Sequence, residues 1–190
     1  PERAHVVAAT SARYLGGDVL TAWCAGALAH GFALALAGEP LPVALRAGAR
    51  IQPLSHRDQQ RASSAITGAV ALAVQSPGNT QLCQRLAVER TCEASLAAAV
   101  YAAVSSEAGG LNTPGWGMWL GVNHGGASAL VGALTGALLG GSQSVSALNL
   151  RWLQRVELRF TLAQVITDVA TACGAGASPA LRSAYPSRAA

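Results

Sequence analysis

Apolar residues fall in long blocks separated by short clusters of Gly, Pro, Asn and Ser, and no segment of strand length alternates convincingly between apolar and polar positions. The blocks begin and end at residues suited to helix termini. Asp18 is placed to cap a helix over Val19–Ala37, which Gly38 and Pro40 stop. A shorter helix is expected over Pro42–Ala49, and another over Asp58–Val74 ended by Pro77-Gly78. Thr80 heads a helix to about Val88, and Thr91 one to about Ser105 that carries Glu93 near its start. Glu107–Gly117 is rich in Gly, Pro and Asn and reads as a loop. Trp116–Val122 then reads as a short helix, Asn123–Gly126 as a tight turn and Ala127–Leu139 as a further helix. After Gly140-Gly141 and a Ser-rich link, Leu150–Ala172 is amphipathic, with a break near Glu157. The remaining segment from Gly174 to Ala190 is small and polar and is expected to be poorly ordered. The expectation is an all-α fold, with one helical domain over residues 1–173 and a flexible tail over 174–190.

Composition agrees with this reading. The 190 residues are 51% apolar and only 12% charged, so exposed surface has to be economised, which a compact helical body achieves. Aromatics are 5%, and the plentiful Ala and Gly suit closely approaching helices better than sheets, which favour Val, Ile, Tyr and Thr. Gly132, Gly136 and Gly140 are spaced four apart on one face and form a groove for such an approach. The longest apolar run, Thr21–Ala37, contains His30 and falls short of the roughly 20 residues a membrane span requires, so a buried helix is expected and no membrane partner. Pro1-Glu2-Arg3-Ala4 lacks the order of a secretory signal.

The net charge of +4 comes from thirteen arginines and no lysine and does not imply nucleic acid. Arg151, Arg155 and Arg159 fall four apart and read as a solvated helical stripe. Cys24, Cys83, Cys92 and Cys173 show no metal-ligand spacing and are expected to be buried free thiols in a reducing, cytoplasmic setting. His30 is expected to be a hydrogen-bonded core residue and His56, beside Arg57 and Asp58, a surface one. Ser63-Ser64 lacks the strand–elbow–helix context of a hydrolase serine. Trp116 and Trp119, three apart on a short helix, are expected to anchor the core, with stacking on an adenine as the alternative.

The chemistry concentrates in Gly121-Val-Asn-His-Gly-Gly-Ala-Ser-Ala-Leu-Val-Gly-Ala-Leu-Thr-Gly-Ala-Leu-Leu-Gly140. This segment resembles the C-terminal signature of the ADP-ribosylglycohydrolase family, close to V-N-H-x-G-D-S-D-S/T-x-x-A-I-A-G-x-L-x-G. Thr91–Val104 resembles the family helix E-A-L-x-x-A-x-Y/W, and Leu150–Val156 with Trp152 and Glu157 resembles its closing P-x-x-W-x-x-x-L-E stretch, without the proline. Ser11–Pro40 resembles the helix that follows a T-H motif, although Arg13-Tyr14 stands there. The resemblance spans roughly Ala9–Cys173 and implies an all-α fold that holds a pair of magnesium ions and releases ADP-ribose from proteins or small molecules. Magnesium wants oxygen ligands in near-octahedral order, and a D-x-D-S/T stretch entering a helix supplies two carboxylates and a hydroxyl around one point.

Here Ala127 and Ala129 stand at the two acid positions and Leu130 at the hydroxyl position. The family's T/S-D-D stretch has no match: Asp18, Asp58 and Asp168 are the only aspartates, so that half either lies upstream of Pro1 or was never present. No metal ligand, catalytic residue or cofactor is therefore expected. The turn itself is retained. Asn123, His124, Gly125, Gly126 and Ser128 are the candidate ligand-binding residues, because exposed N–H groups at a helix start hold phosphate without a metal. The alternative is that Asn123 and His124 only satisfy backbone groups of the turn. The functional expectation is an inactive ADP-ribosylglycohydrolase-like protein that binds ADP-ribosyl groups, such as ADP-ribose or an ADP-ribosylated protein, or another protein partner. Two alternatives stand beside it: an active magnesium-dependent hydrolase whose ligands come from a missing N-terminal half, and a purely structural interaction domain.

Overall fold

The computed structural model describes residues 1–51, 57–108, 114–143, 150–174, 176 and 178–185; His56 lies outside them. Among the described residues there are eleven helices and no strand, as the periodicity led us to expect. The chain divides into two compact units, 1–148 and 149–190, and each is described by itself.

The first unit is built around α6 (Cys92–Ala108), which is buried without interruption from Glu93 to Ser106. Its sequence is mostly Ala, Val and Ser, so it has no apolar stripe to present to one side. Small side chains instead let neighbours approach it from every direction. Packed on it are α2 (Val19–Leu36), α3 (Leu41–Gly48), α4 (Arg57–Gln75), α5 (Thr80–Ala87), α7 (Pro114–Val122) and α8 (Ser128–Gln143). Tyr101, the largest fully buried side chain, ties this axis to the loop before α5. Its hydroxyl donates toward the Ser76 carbonyl (2.6 Å) and lies 3.2 Å from the Asn79 carbonyl, and it accepts from the Asn79 amide at 2.8 Å.

Several helix ends follow the sequence closely. Asp18 caps α2 by accepting from the Thr21 amide at 2.7 Å, which holds its carboxyl below the usual range. The Thr91 hydroxyl accepts from the Ala94 amide at 3.3 Å. α5 is capped one residue earlier than expected, because the Asn79 side chain accepts from both Gln81 and Leu82 amides. α2 has the length and apolarity of a membrane span, and in this structure it packs against α1 (Glu2–Tyr14), α3, α4, α6 and α8.

The sequence reading missed α1. Only His5 of this helix is fully buried, and the face that packs on α2 is otherwise drawn in half-buried alanines, Ala4, Ala8, Ala9 and Ala12, rather than in large apolar residues. The His5 ring sits over Gly26, where a Cβ would fall 2.6 Å from Nδ1. The expected loop over Glu107–Gly117 is too long: α6 runs to Ala108 and α7 starts at Pro114, proline being well tolerated in a first helical turn. Gly140-Gly141 does not end α8, which continues to Gln143. The Phe32 ring packs where a Cβ of Gly141 would sit, so this glycine serves a helix contact rather than a stop.

In the second unit the expected break near Glu157 separates α9 (Leu150–Arg155) from α10 (Arg159–Gly174), with Leu158 in a left-handed conformation (φ 57°). The break sets Arg159 on a different helix from Arg155, so the three arginines do not form one stripe. Arg159 instead reaches the Gln154 carbonyl and lies over the Phe160 ring. No residue of α10 is buried, and Phe160, Ile166 and Val169 are exposed. Within the segment expected to be poorly ordered, Pro179–Ala184 forms α11, capped by the Ser178 hydroxyl accepting from the Leu181 amide.

Candidate functional site

α7, the turn Asn123–Ala127 and α8 form an antiparallel pair whose close approach is written into the glycines. A Cβ on Gly121 would fall 2.7 Å from Thr135 Oγ1, and one on Gly132 2.6 Å from Val122 Cγ1. Gly136 faces Met118, whereas Gly140 meets nothing, so two of the three glycines on the α8 face serve the contact with α7. Gly126 is buried against the end of α5, where any side chain would run into the Ala87 carbonyl. The turn is thereby fixed between α5 and α8.

His124 is committed to this turn. Its Nδ1 accepts from the Gly126 amide at 3.1 Å, which leaves Nε2 as the protonated nitrogen donating to the Gly121 carbonyl at 3.0 Å. Asn123 donates from Nδ2 to the Trp119 carbonyl at 2.8 Å. Both side chains thus bond backbone at the junction of α7 and α8. Gly125 is exposed, Ser128 is half-buried, and the Ser128 amide bonds the Gly126 carbonyl at 3.0 Å. Just beyond, the amides of Ala129 and Leu130 belong to the first helical turn, before the helix supplies its own acceptors. Ala129 and Leu130 are exposed there, Leu130 at 49%.

Arg90 also borders this turn. It lies between α5 and α6 with φ 54°, a left-handed conformation unusual for a side chain of this size, and its guanidinium donates to the Gly125 carbonyl at 3.3 Å. The only sequence signal was an arginine just before the Thr91 cap. The turn at the start of α8 therefore has a cation beside it as well as the positive end of a helix dipole.

The side chains standing at the family's acid and hydroxyl positions do not fit magnesium. Ala127, Ala129 and Leu130 carry no lone pairs, and both ring nitrogens of His124 are occupied by the backbone. Among the described residues, no three His, Cys, Asp or Glu side chains converge as a cation site.

Other candidate residues are dispersed. Trp116 is half-buried and Trp119 is 43% exposed, with rings stacked at 4.8 Å. Trp119 is therefore not the core anchor expected, because α7 turns that face outward. His30 is half-buried rather than fully in the core; it makes a hydrogen bond to the Pro1 backbone, while its Nδ1 finds no partner, and desolvation lowers its pKa, assisted by the nearby N-terminus and His5. Ser63 is buried and structural, donating to the Ala49 carbonyl at 2.8 Å. Of the cysteines, Cys24 and Cys83 are buried, Cys92 is half-buried and Cys173 is exposed, since α10 buries none of its residues. Cys83 donates to the Leu120 carbonyl, and burial pushes its thiol up to about 11. Glu93, at the start of α6, pairs with Arg61 at 2.8 Å. Burial alone would raise its pKa, but its hydrogen bonds and the arginine hold it low.

An all-helical body organised on a buried alanine-rich helix, with a glycine-tight Asn-His-Gly-Gly turn opening α8, defines the class of protein. The ADP-ribosylglycohydrolase family model matches residues 1–178, and the chain belongs to that family. No curated protein and no solved structure matches it.

Proposed function

We propose that this chain is a family member that has given up magnesium-dependent hydrolysis and keeps the turn at the start of α8 as a metal-independent binding surface for an ADP-ribosyl group. The observation that carries this reading is the local chemistry of that turn. Where the family resemblance places two carboxylates and a hydroxyl, Ala127, Ala129 and Leu130 present only hydrocarbon, while Arg90 donates to Gly125 alongside them. With alanine at both acid positions the turn itself carries no carboxylate to repel a diphosphate, and the α8 dipole together with the Arg90 guanidinium favours one. Gly126, pressed against Ala87, and His124, bonded at both ring nitrogens, hold the turn in shape without a metal. An ADP-ribosylated protein is the macromolecular partner that follows.

Calorimetric titration with ADP-ribose, with and without magnesium, tests this. Binding unchanged by magnesium and weakened by Arg90→Ala is the expected result. Magnesium-strengthened binding, or EDTA-sensitive release of ADP-ribose from a modified arginine peptide, would overturn it.

A further inference from the structure

Two cysteines far apart in sequence meet where α2 approaches the start of α6. Cys24 Sγ and Cys92 Sγ lie 3.9 Å apart although the residues are 68 positions apart along the chain. Cys24 is 6% exposed in the first half of α2, whereas Cys92 is half-buried at the first position of α6. The Cys92 thiol is already oriented by its neighbour, since its S–H donates to Glu93 Oε2 at 3.3 Å, and Glu93 is fixed by Arg61. A disulfide requires sulfurs about 2.05 Å apart, so the pair must close by about 1.9 Å on oxidation.

We propose that Cys24 and Cys92 are a redox-modification site, a dithiol that a small hydroperoxide converts to an intramolecular disulfide joining α2 to the start of α6. Cys92, the less buried of the two, reacts first. Its thiolate attacks one peroxide oxygen, the O–O bond breaks, the sulfur is oxidised to a sulfenic acid, and the other oxygen leaves as the reduced peroxide, an alcohol or, from hydrogen peroxide, water. The Cys24 sulfur, as thiolate, then attacks Cys92 sulfur and displaces hydroxide, which takes up the Cys24 proton and leaves as water. The balance is two thiols and one hydroperoxide giving one disulfide, water and the reduced peroxide. Burial and the Glu93 carboxylate raise the Cys92 thiol, and burial raises Cys24 further, so the dithiol persists at rest and closure accelerates with rising pH. Cys83, committed to the Leu120 carbonyl, has no part in the pair. The linkage would form close to the candidate site in the chain, since Arg90, which contacts Gly125, is two residues before Cys92.

The test uses the full chain carrying Cys173→Ser, which removes the exposed thiol that would otherwise join two copies. After treatment with hydrogen peroxide and alkylation, peptide mapping should find Cys24 joined to Cys92 within one chain, with Cys83 free. The Tm should rise by about 5–10 °C, because the unfolded chain loses loop freedom, and dithiothreitol should reverse the rise. Cys24→Ser should leave a dimedone-reactive sulfenic acid on Cys92. Mapping that places the bond on any other pair, or that finds Cys24 and Cys92 both alkylatable after exhaustive oxidation, would overturn the proposal, and mapping the Cys173→Ser chain needs no substitution at the pair.

Discussion

The His124 imidazole bridges the two ends of its own turn, taking the Gly126 amide on Nδ1 at 3.1 Å while Nε2 bonds the Gly121 carbonyl at 3.0 Å. Gly121 and Gly126 are both buried, so neither backbone group has ready access to water once the ring is removed. His124→Ala should therefore lower the unfolding free energy by about 1–3 kcal/mol, the cost of leaving buried backbone groups unpaired. Urea denaturation would show this as a lower midpoint at constant slope. A loss below about 0.5 kcal/mol would mean the ring is not what holds the turn.

The same turn allows a gain-of-metal experiment. Ala127→Asp, Ala129→Asp and Leu130→Ser together would place two carboxylates and a hydroxyl at the start of α8, where the helix dipole contributes about 0.3–1 kcal/mol for each exposed acid. Magnesium at about 100 times its Kd should then add about 2.7 kcal/mol to the stability of the triple variant and raise its Tm by several degrees, with no effect on the parent chain. An equal magnesium shift in both proteins would show that the ion sits elsewhere.

These tests are possible because the turn was legible before the fold was known. Asn123, His124 and the paired glycines, followed by a glycine-spaced helix, marked the junction of α7 and α8, and caps such as Asp18 marked helix starts. Features that depend on contacts between distant segments were hidden. α1 escaped because it packs on α2 through His5 and a stripe of alanines rather than large apolar residues, and Gly141 continues α8 where the Phe32 ring from α2 packs against it. Arg90 gave no local sign that it would reach Gly125, thirty-five positions away. The meeting of Cys24 with Cys92 likewise follows only from the packing of α2 on α6.

Tyr101 carries another long-range dependence. Its fully buried ring places one hydroxyl among the Ser76 carbonyl and the Asn79 amide and carbonyl, which closes the Ser-Pro-Gly-Asn connection between α4 and α5. Tyr101→Phe keeps the packing and removes only the oxygen. The expected cost is about 1–3 kcal/mol, seen as a Tm lower by a few degrees, with faster hydrogen exchange at the Asn79 amide. Unchanged exchange there would show that the hydroxyl does not anchor the connection.

Glu107, half-buried near the end of α6, gives a pH dependence with a defined sign. Burial raises its carboxyl pKa above 4.5, and the Ser142 and Gln143 side chains only partly oppose this. The folded protein therefore holds the Glu107 proton more tightly than the unfolded chain does. Its contribution is fully present below pH 4.5 and is lost as pH rises through the elevated folded value, because the carboxylate then formed is partly desolvated. Glu107→Gln, neutral throughout, should raise the Tm at pH 7 relative to the parent, and the advantage should shrink toward pH 4. Thermal unfolding of both proteins across that range checks the sign. A Gln variant less stable at pH 7 than at pH 4, relative to the parent, would mean that the ionised carboxylate is the form the fold prefers.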